Sequence, residues 1–462
     1  MILTSPHPNV PLFRRSIFTH LLGTSSDAPH LVGGFPATSP AFIDATTGTI
    51  LTRGAVRSYA LQLAYSLHNP PTPLTYPPRP PTILIFSPNS IVWPILLHGV
   101  TAAGFRATLA NSAYTATELA YQYTNAGAHL VFAHPTLVPV VKDALKSLGC
   151  SESEIYSRVV VMTTHWLTGA PDPISAGSIN LVRLEAFFGR GELPNEVSFD
   201  GERSNETLYL CYSSGTTGKS KGVETTHYNL VSLIEILKPA WPDSIPCLTP
   251  SLPTDYNQDS HPDVFFGSLP YYHIYGAIKL LMFPLALGTP VVIIGGFDPV
   301  KFCEAVERYR ASTLLVVPPM LVVLARHDGR SFVYCLFQRA CFVWSNSFLD
   351  STAIEKYNMT SIRVIFSGAA PLGADLVATI RKRLQKVGSN AVVCQGASNP
   401  PAHSTRHTDS TFLILAYGLT ETSPTMTILH PDDANTHIGS VGRVLPNIQV
   451  RLVREDAGEV SV

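Results

Sequence analysis

The stretch that most narrows the possible folds begins with Thr207-Leu-Tyr-Leu-Cys211, whose alternation reads as a short buried strand. It runs straight into Tyr212-Ser-Ser-Gly-Thr-Thr-Gly-Lys-Ser-Lys-Gly222. Glycines let a backbone approach an anion closely, hydroxyls and amides supply hydrogen-bond donors, and lysines bring positive charge. A loop of this make-up at the end of a strand fits phosphate oxygens, and open α/β sheets place their ligand sites at strand ends. A flexible Gly/Ser surface turn is the plain alternative for such a composition. A Walker-type P-loop is another, because Gly218-Lys219-Ser220 has that motif's ending. Its opening glycine is missing, since Ser213 stands five positions before Gly218, and no strand ending in a magnesium-binding aspartate follows.

The flanks of this stretch read as alternating strands and helices. Thr82-Ile-Leu-Ile-Phe86, Ala128-His-Leu-Val-Phe132 and Arg158-Val-Val-Val-Met162 read as strands, Ser90 to Ala103 reads as a helix, and Thr115-Ala-Thr-Glu118 is a capping box that opens another. Earlier, Ala41 to Asp44 and Gly54 to Tyr59 open a strand and a helix; Pro171 to Arg203 reads as a surface connection. Beyond the loop the pattern repeats: helix Ile274 to Leu287 with Gly288 at its stop, strand Pro290 to Ile294, helix Val300 to Tyr309, strand Ser312 to Val317. It continues with strand Ile362 to Phe366, helix Ala374 to Lys386 and strand Ala391 to Gln395. Strands separated by helices imply right-handed βαβ units and a mainly parallel α/β fold, which we expect in two pseudo-similar halves.

Composition agrees. Charged residues are 14% of the 462, against about 25% in an average domain. That shortage fits sheets covered on both faces. The formal net charge of −1 favours neither nucleic acid nor an anionic membrane as partner. Seven cysteines are scattered without metal-ligand spacing, as free thiols in a reducing compartment would be. Met1 to His20 lacks an apolar core of signal-peptide length, and the apolar run Ala277 to Phe297 is broken by Lys279, Pro284, Gly288 and Pro290. No transmembrane segment is expected.

The loop resembles the phosphate-binding signature of the acyl-adenylate-forming (AMP-binding) enzymes, nearest to 4-coumarate:CoA ligase-like acyl-CoA synthetases. Pro270-Tyr-Tyr-His-Ile-Tyr-Gly276, Phe366-Ser-Gly-Ala-Ala-Pro-Leu-Gly373, Tyr417-Gly-Leu-Thr-Glu-Thr422 and Gly439-Ser-Val-Gly-Arg-Val-Leu-Pro446 are similar to further family blocks, in the family's order. The resemblance implies the large N-terminal domain of that fold over residues 1–446, with mainly parallel sheets and a smaller β-rich part. It also implies an ATP-dependent ligase that turns a small carboxylic acid into an acyl-adenylate and then a coenzyme A thioester. Phosphoryl chemistry of this kind is chiefly positioning and charge neutralisation. By the resemblance, Ser213, Ser214, Gly215, Thr216, Thr217, Gly218, Lys219 and Lys221 would hold the triphosphate of ATP. Thr420 would touch the α-phosphate and Glu421 would hold Mg2+, an ion that commonly takes one carboxylate plus phosphate oxygens. Gly368, Ala369, Ala370 and Pro371 would form a flat floor for adenine, with Tyr417 and Gly418 against it. His273 would orient the acid, and Tyr275 and Gly276 are candidates for the acyl pocket. Taken alone, Thr420-Glu421 reads equally as a helix start and His273 as packed core.

The chain departs from the family pattern in three places. Residues 397–416 separate Gln395-Gly396 from Tyr417, where the family runs directly on; residues 328–352 form a second, apolar insertion; and residues 447–462 stand where the segment to a C-terminal lid with a catalytic lysine begins. One or both insertions read as translated introns, with the end of the chain expected to reflect the same faulty gene model, the rival being a diverged pseudoenzyme that keeps nucleotide binding; impaired turnover is expected. A peptide-synthetase-type adenylation domain and a luciferase-like oxygenase stay open as further classes. Relatives often carry a peroxisomal C-terminal tripeptide whereas this chain ends in Val460-Ser-Val462, so a soluble cytoplasmic or peroxisomal location is expected.

Overall fold

The computed structural model describes residues 2–75, 81–171, 180–213, 219–255, 260–326, 353–369, 374–389, 391–392, 411–429 and 440–451. Two large sheets dominate it. The first has the order Val182–Arg183, Val159–Val161, Ala128–Ala133, Thr82–Phe86, Arg106–Ala110, Thr207–Ser213, Lys221–Thr226, parallel throughout except for the last pair. The second runs Arg443–Val444, Thr427–Ile428, Thr411–Tyr417, Val364–Ser367, Thr313–Val316, Phe265–Gly267, Val291–Ile293, Pro40–Asp44, Ile50–Thr52. Its centre is parallel and its ends are antiparallel.

Burial explains why the strands read as continuous apolar runs. All five residues of Thr82–Phe86 are buried, as are all four of Thr313–Val316 and of Val364–Ser367. Between the sheets lie helices Arg53–His68, Trp93–Ala102, His227–Leu237 and Ile274–Leu281. Leu63, Leu96, Ile234 and Ile278 from these helices share one core with Ile83 and Ile85 of the first sheet and Phe265 and Val291 of the second. The outer face of the first sheet packs Leu119 and Val141 from helices Ala116–Asn125 and Val138–Ser147. The outer face of the second packs Phe302, Leu321 and Ile380 from helices Pro299–Tyr309, Pro318–Arg326 and Ala374–Lys386. Five layers, helix, sheet, helix, sheet, helix, leave little surface for charge.

Several expected elements appear with small changes. Thr82–Phe86 matches residue for residue, and the capping box is formed, with the Glu118 N–H donating to Thr115 Oγ1 and the Glu118 carboxylate accepting from the Thr115 N–H at 2.8 Å. The helix expected over Ile274 to Leu287 is two helices, Ile274–Leu281 and Phe283–Leu287, because Pro284 cannot continue the first; Gly288 closes the second at φ 73°. No helix among the described residues is long and apolar enough to cross a membrane. Pro171 to Arg203 is more than a surface connection: Val182–Arg183 adds an edge strand, and Leu184 and Phe187 are wholly buried. Cys150, Cys211, Cys247 and Cys303 are free thiols, the last three buried.

The insertion expected over 328–352 lies outside the described residues, as do 397–410 of the second. Residues 411–416, also assigned to that insertion, are part of strand Thr411–Tyr417, which pairs in parallel with Val364–Ser367 and carries Tyr417 at its end. A strand was expected over Ala391 to Gln395; its described part, Ala391–Val392, pairs with Thr411 and Phe412.

An ionic network fastens the amino ends of three neighbouring strands. Arg363 Nη1 donates to both oxygens of Asp263 at 2.7 and 2.9 Å, and Ser312 Oγ donates to Asp263 at 2.7 Å while accepting the Val264 N–H at 3.0 Å. Asp263 also accepts the Ile245 N–H at 2.8 Å. The same strands release their carboxyl ends toward the opposite edge of the sheet, where the cleft described next is found.

Candidate active site

The carboxyl ends of strands Arg106–Ala110, Thr207–Ser213, Val364–Ser367 and Thr411–Tyr417 converge on one cleft of about 1070 Å³. Ser213, Lys219, Lys221, His273, Tyr275, Gly368, Ala369, Tyr417, Gly418, Thr420 and Glu421 all line it, although the sequence scatters them over more than 200 positions. Ser214, Gly215, Thr216, Thr217, Gly218, Ala370 and Pro371 lie outside the described residues.

The glycine-rich stretch joins two antiparallel strands, Thr207–Ser213 and Lys221–Thr226, with Ser213 paired to Lys221. The two strands form the base of a hairpin. Helix Ala116–Asn125 braces that base: the Tyr121 hydroxyl donates to the Ser220 carbonyl at 3.0 Å, the Tyr212 hydroxyl donates to Asn125 Oδ1 at 2.6 Å, and Lys219 Nζ lies 5.4 Å from the Tyr121 ring centroid. Burial pushes the Tyr212 phenol up to about 12, so it stays a neutral donor at physiological pH. Lys221 and Lys219 open toward the cleft and supply its positive charge.

Across the cleft, the chain turns out of strand Thr411–Tyr417 into the short 3-10 turn Thr420–Thr422, so Thr420-Glu421 is a single turn and not the start of a longer helix. Gly418 has to be glycine, because a Cβ there would stand 1.3 Å from the Pro424 carbonyl oxygen. Thr422 Oγ1 accepts the Leu419 N–H at 2.8 Å, which holds the turn closed. The result brings Glu421 Oε1 to 2.9 Å from Ser213 Oγ, which donates to it. The first hydroxyl of the glycine-rich hairpin and the carboxylate thus meet directly. A single carboxylate beside a hydroxyl and two lysines fits a divalent ion that arrives with phosphate oxygens; among the described residues no cluster of three His, Cys, Asp or Glu could hold a metal unaided.

The floor comes from the end of strand Val364–Ser367. Gly368 passes over the Tyr275 ring, where an added Cβ would lie 3.3 Å away, and Ala369 takes the left-handed φ of 68°, a conformation costing an alanine about 1–2 kcal/mol. Tyr417, 46% exposed, offers an open aromatic face beside this floor. Tyr275 is fixed beneath it by donating to the Phe366 carbonyl at 3.1 Å.

His273 caps helix Ile274–Leu281, its Nδ1 accepting the Tyr275 N–H at 3.2 Å. With Nδ1 an acceptor, the proton of the neutral ring resides on Nε2. Burial among surrounding atoms pushes the imidazole pKa below its ordinary value, although the residue keeps contact with solvent. Gly276 does not line the cleft: a Cβ there would meet the Pro270 carbonyl at 2.2 Å, so its role is close packing under the His273 turn. Sequence reasoning missed the wall formed by Asn111, Tyr114, Thr117, Glu118 and Tyr121. The capping box marked where that helix starts, but nothing local told that its outer face looks into the cleft.

Residues 32–462 match the profile of the AMP-binding enzyme family. The chain is 26% identical over 385 residues to 4-coumarate–CoA ligase-like 8 of Arabidopsis thaliana, covering 83% of this chain and 55% of that protein. It is also 26% identical over 423 residues to 4-coumarate–CoA ligase 1 of Narcissus pseudonarcissus, covering 91% and 62%. A crystal structure of a long-chain-fatty-acid–CoA ligase from Archaeoglobus fulgidus has the same fold, with a TM-score of 0.70 at 18% identity over all of this chain and 75% of the other. The chain thus spans about three fifths of the length of the curated relatives it matches. With the fold, the cleft at the strand ends and the profile in agreement over almost its whole length, the chain belongs to the AMP-binding enzyme family.

Proposed function

We propose that the cleft activates a carboxylic acid with ATP for transfer to the thiol of coenzyme A. One acid oxygen attacks the α-phosphorus, the bond to the bridging oxygen breaks, and pyrophosphate leaves; the thiolate of coenzyme A then attacks the acyl carbon and AMP departs. The observation that carries this reading is the contact between Ser213 and Glu421 at 2.9 Å, which joins a phosphate-type stretch to the Glu421 carboxylate across the cleft.

In this reading Ser213, Lys219 and Lys221, with Ser214 to Gly218, bind the triphosphate, and Glu421 holds Mg2+. That ion neutralises phosphate charge when bound. Thr420 reaches the α-phosphate, Gly368 to Pro371 and Tyr417 with Gly418 hold the adenine, and His273 Nε2 donates to the acid and orients its carboxylate. The names of the relatives support an aryl acid such as a 4-coumarate, and that of the structural neighbour supports a fatty acid. The test is ATP–pyrophosphate exchange with cinnamic and medium-chain fatty acids. Acid-dependent exchange supports the adenylation step, whereas tight ATP binding without exchange under any acid favours a non-catalytic nucleotide-binding protein.

A further inference from the structure

Helix Ile274–Leu281 leaves the His273 turn and carries a lysine into the core. Lys279 has no solvent exposure and its Nζ has no hydrogen-bond partner. It is boxed by rings instead, with Nζ at 4.9 Å from the centroid of Trp241, 4.9 Å from Phe283 and 5.1 Å from Phe366. A buried amine without a partner is costly, and desolvation alone pushes its pKa down to about 7. The three ring contacts offset part of that cost, whereas Met would fill similar space without it.

Its position relates it to the cleft. Lys279 lies one helical turn beyond Tyr275, on the same face of the helix. Tyr275 and Phe366 both line the cleft, their rings are 5.9 Å apart, and Phe366 is also a wall of the lysine's box. Side chains on a helix lean toward its amino end, which aims the amine back at these two rings. From His273 to Lys279 the helix rises about 9 Å. An acid whose carboxylate sits at His273 and whose body follows the helix would bring its far end to the Tyr275–Phe366 wall, and with Tyr275 held by its hydroxyl a rotamer change of Phe366, of a kind common on ligand binding, opens the way to the amine.

We propose that Lys279 is the specificity residue for the far end of the acid, and that the preferred substrates carry an oxygen acceptor there, a ring hydroxyl or a second carboxylate. The inference rests on the acid-activating reading above and narrows its substrate class. The aromatic box supplies flat apolar walls for the acid's body, and the unpartnered amine supplies the donor that its terminal oxygen accepts.

Two readouts test it. ATP–pyrophosphate exchange is measured with the matched pairs 4-hydroxycinnamate against cinnamate and adipate against hexanoate, in the wild type and in Lys279→Met, with Lys279→Gln as a second variant should the first not fold. The wild type should prefer the oxygen-bearing member of at least one pair in kcat/KM, and Lys279→Met should reduce that preference about ten- to a hundredfold, the range for a hydrogen bond to a charged group. The pair that responds tells a ring hydroxyl from a second carboxylate. A preference unchanged in both variants overturns the proposal. The second readout needs no turnover: fluorescence of Trp241, assigned by difference against Trp241→Phe, should respond to the oxygen-bearing acids in the wild type and not in Lys279→Met. A selective fluorescence response without exchange under any acid refutes the acid-activating reading and leaves the lysine subsite standing. Exchange with neither preference nor response does the reverse.

Discussion

Replacing Arg363 with Met would strip the Asp263 carboxylate of the guanidinium that donates to both its oxygens, leaving it the Ser312 hydroxyl at 2.7 Å and the Ile245 N–H at 2.8 Å. The Asp263 side chain is 4% exposed and that of Arg363 is 22%. Breaking a buried pair from one side costs about 3–5 kcal/mol, because the remaining charge stays out of water. Two surviving donors and the partial exposure of Arg363 place the expected loss at the lower end, about 3 kcal/mol. That corresponds to a melting temperature lower by roughly 5–10 °C for a domain of a few hundred residues. The double variant Asp263→Asn, Arg363→Met removes the orphaned charge as well and should recover about 1 kcal/mol or more of the single variant's loss. Urea denaturation followed by tryptophan fluorescence measures all three proteins. The network sits at the amino ends of the strands whose other ends form the cleft, so ATP affinity by calorimetry should stay within about twofold while stability falls. An Arg363→Met protein within about 0.5 kcal/mol of the wild type, or a double variant no more stable than the single, would refute the reasoning.

Acid should destabilise the fold through two buried histidines. His98 and His227 are both held down to about 4 from 6.5, chiefly by burial. Because the unfolded chain takes up these protons near pH 6.5 and the folded one only near pH 4, their contribution is intact above pH 6.5 and is lost as pH falls from 6.5 toward 4. The limit is about 3 kcal/mol for each. Melting curves between pH 7.5 and 4.5 check this, and a flat profile from pH 7 to 5 would contradict it. Gly418→Ala should displace the turn that carries Thr420 and Glu421, since its Cβ meets the Pro424 carbonyl. A shift of about 1 Å costs on the order of a hundredfold in rate. Pyrophosphate exchange should fall by that order, and a variant within threefold of the wild type would show that the turn is positioned by something else.

Much of this architecture was legible because buried parallel strands announce themselves. Thr82–Phe86 and the strand that begins at Thr207 are apolar runs of strand length, and no helical period competes with them. The blocks holding Ser213, His273, Gly368, Tyr417 and Glu421 were visible as words in the sequence, yet their meeting in one cleft depends on strand order, which no local pattern records. The hairpin partner Lys221–Thr226 was missed because Gly222 and the polar Glu224, Thr225 and Thr226 give an edge strand little hydrophobic signal. Lys279 registered only as an interruption of an apolar run. Its isolation among Trp241, Phe283 and Phe366 is a property of packing, since those residues come from three separate parts of the chain.

Strand Pro40–Asp44 pairs on one side with its neighbour Ile50–Thr52 and on the other with Val291–Ile293. During synthesis its second neighbour emerges only after roughly 250 further residues, a delay on the order of 10–50 s at typical ribosomal speeds. Throughout that interval Phe42 and Ile43, wholly or almost wholly buried in the finished protein, stand on a ribbon with one open edge. The nascent chain therefore has its greatest need of a chaperone early, and a substitution that slows release of the later half would show itself as aggregation seeded by the first fifty residues.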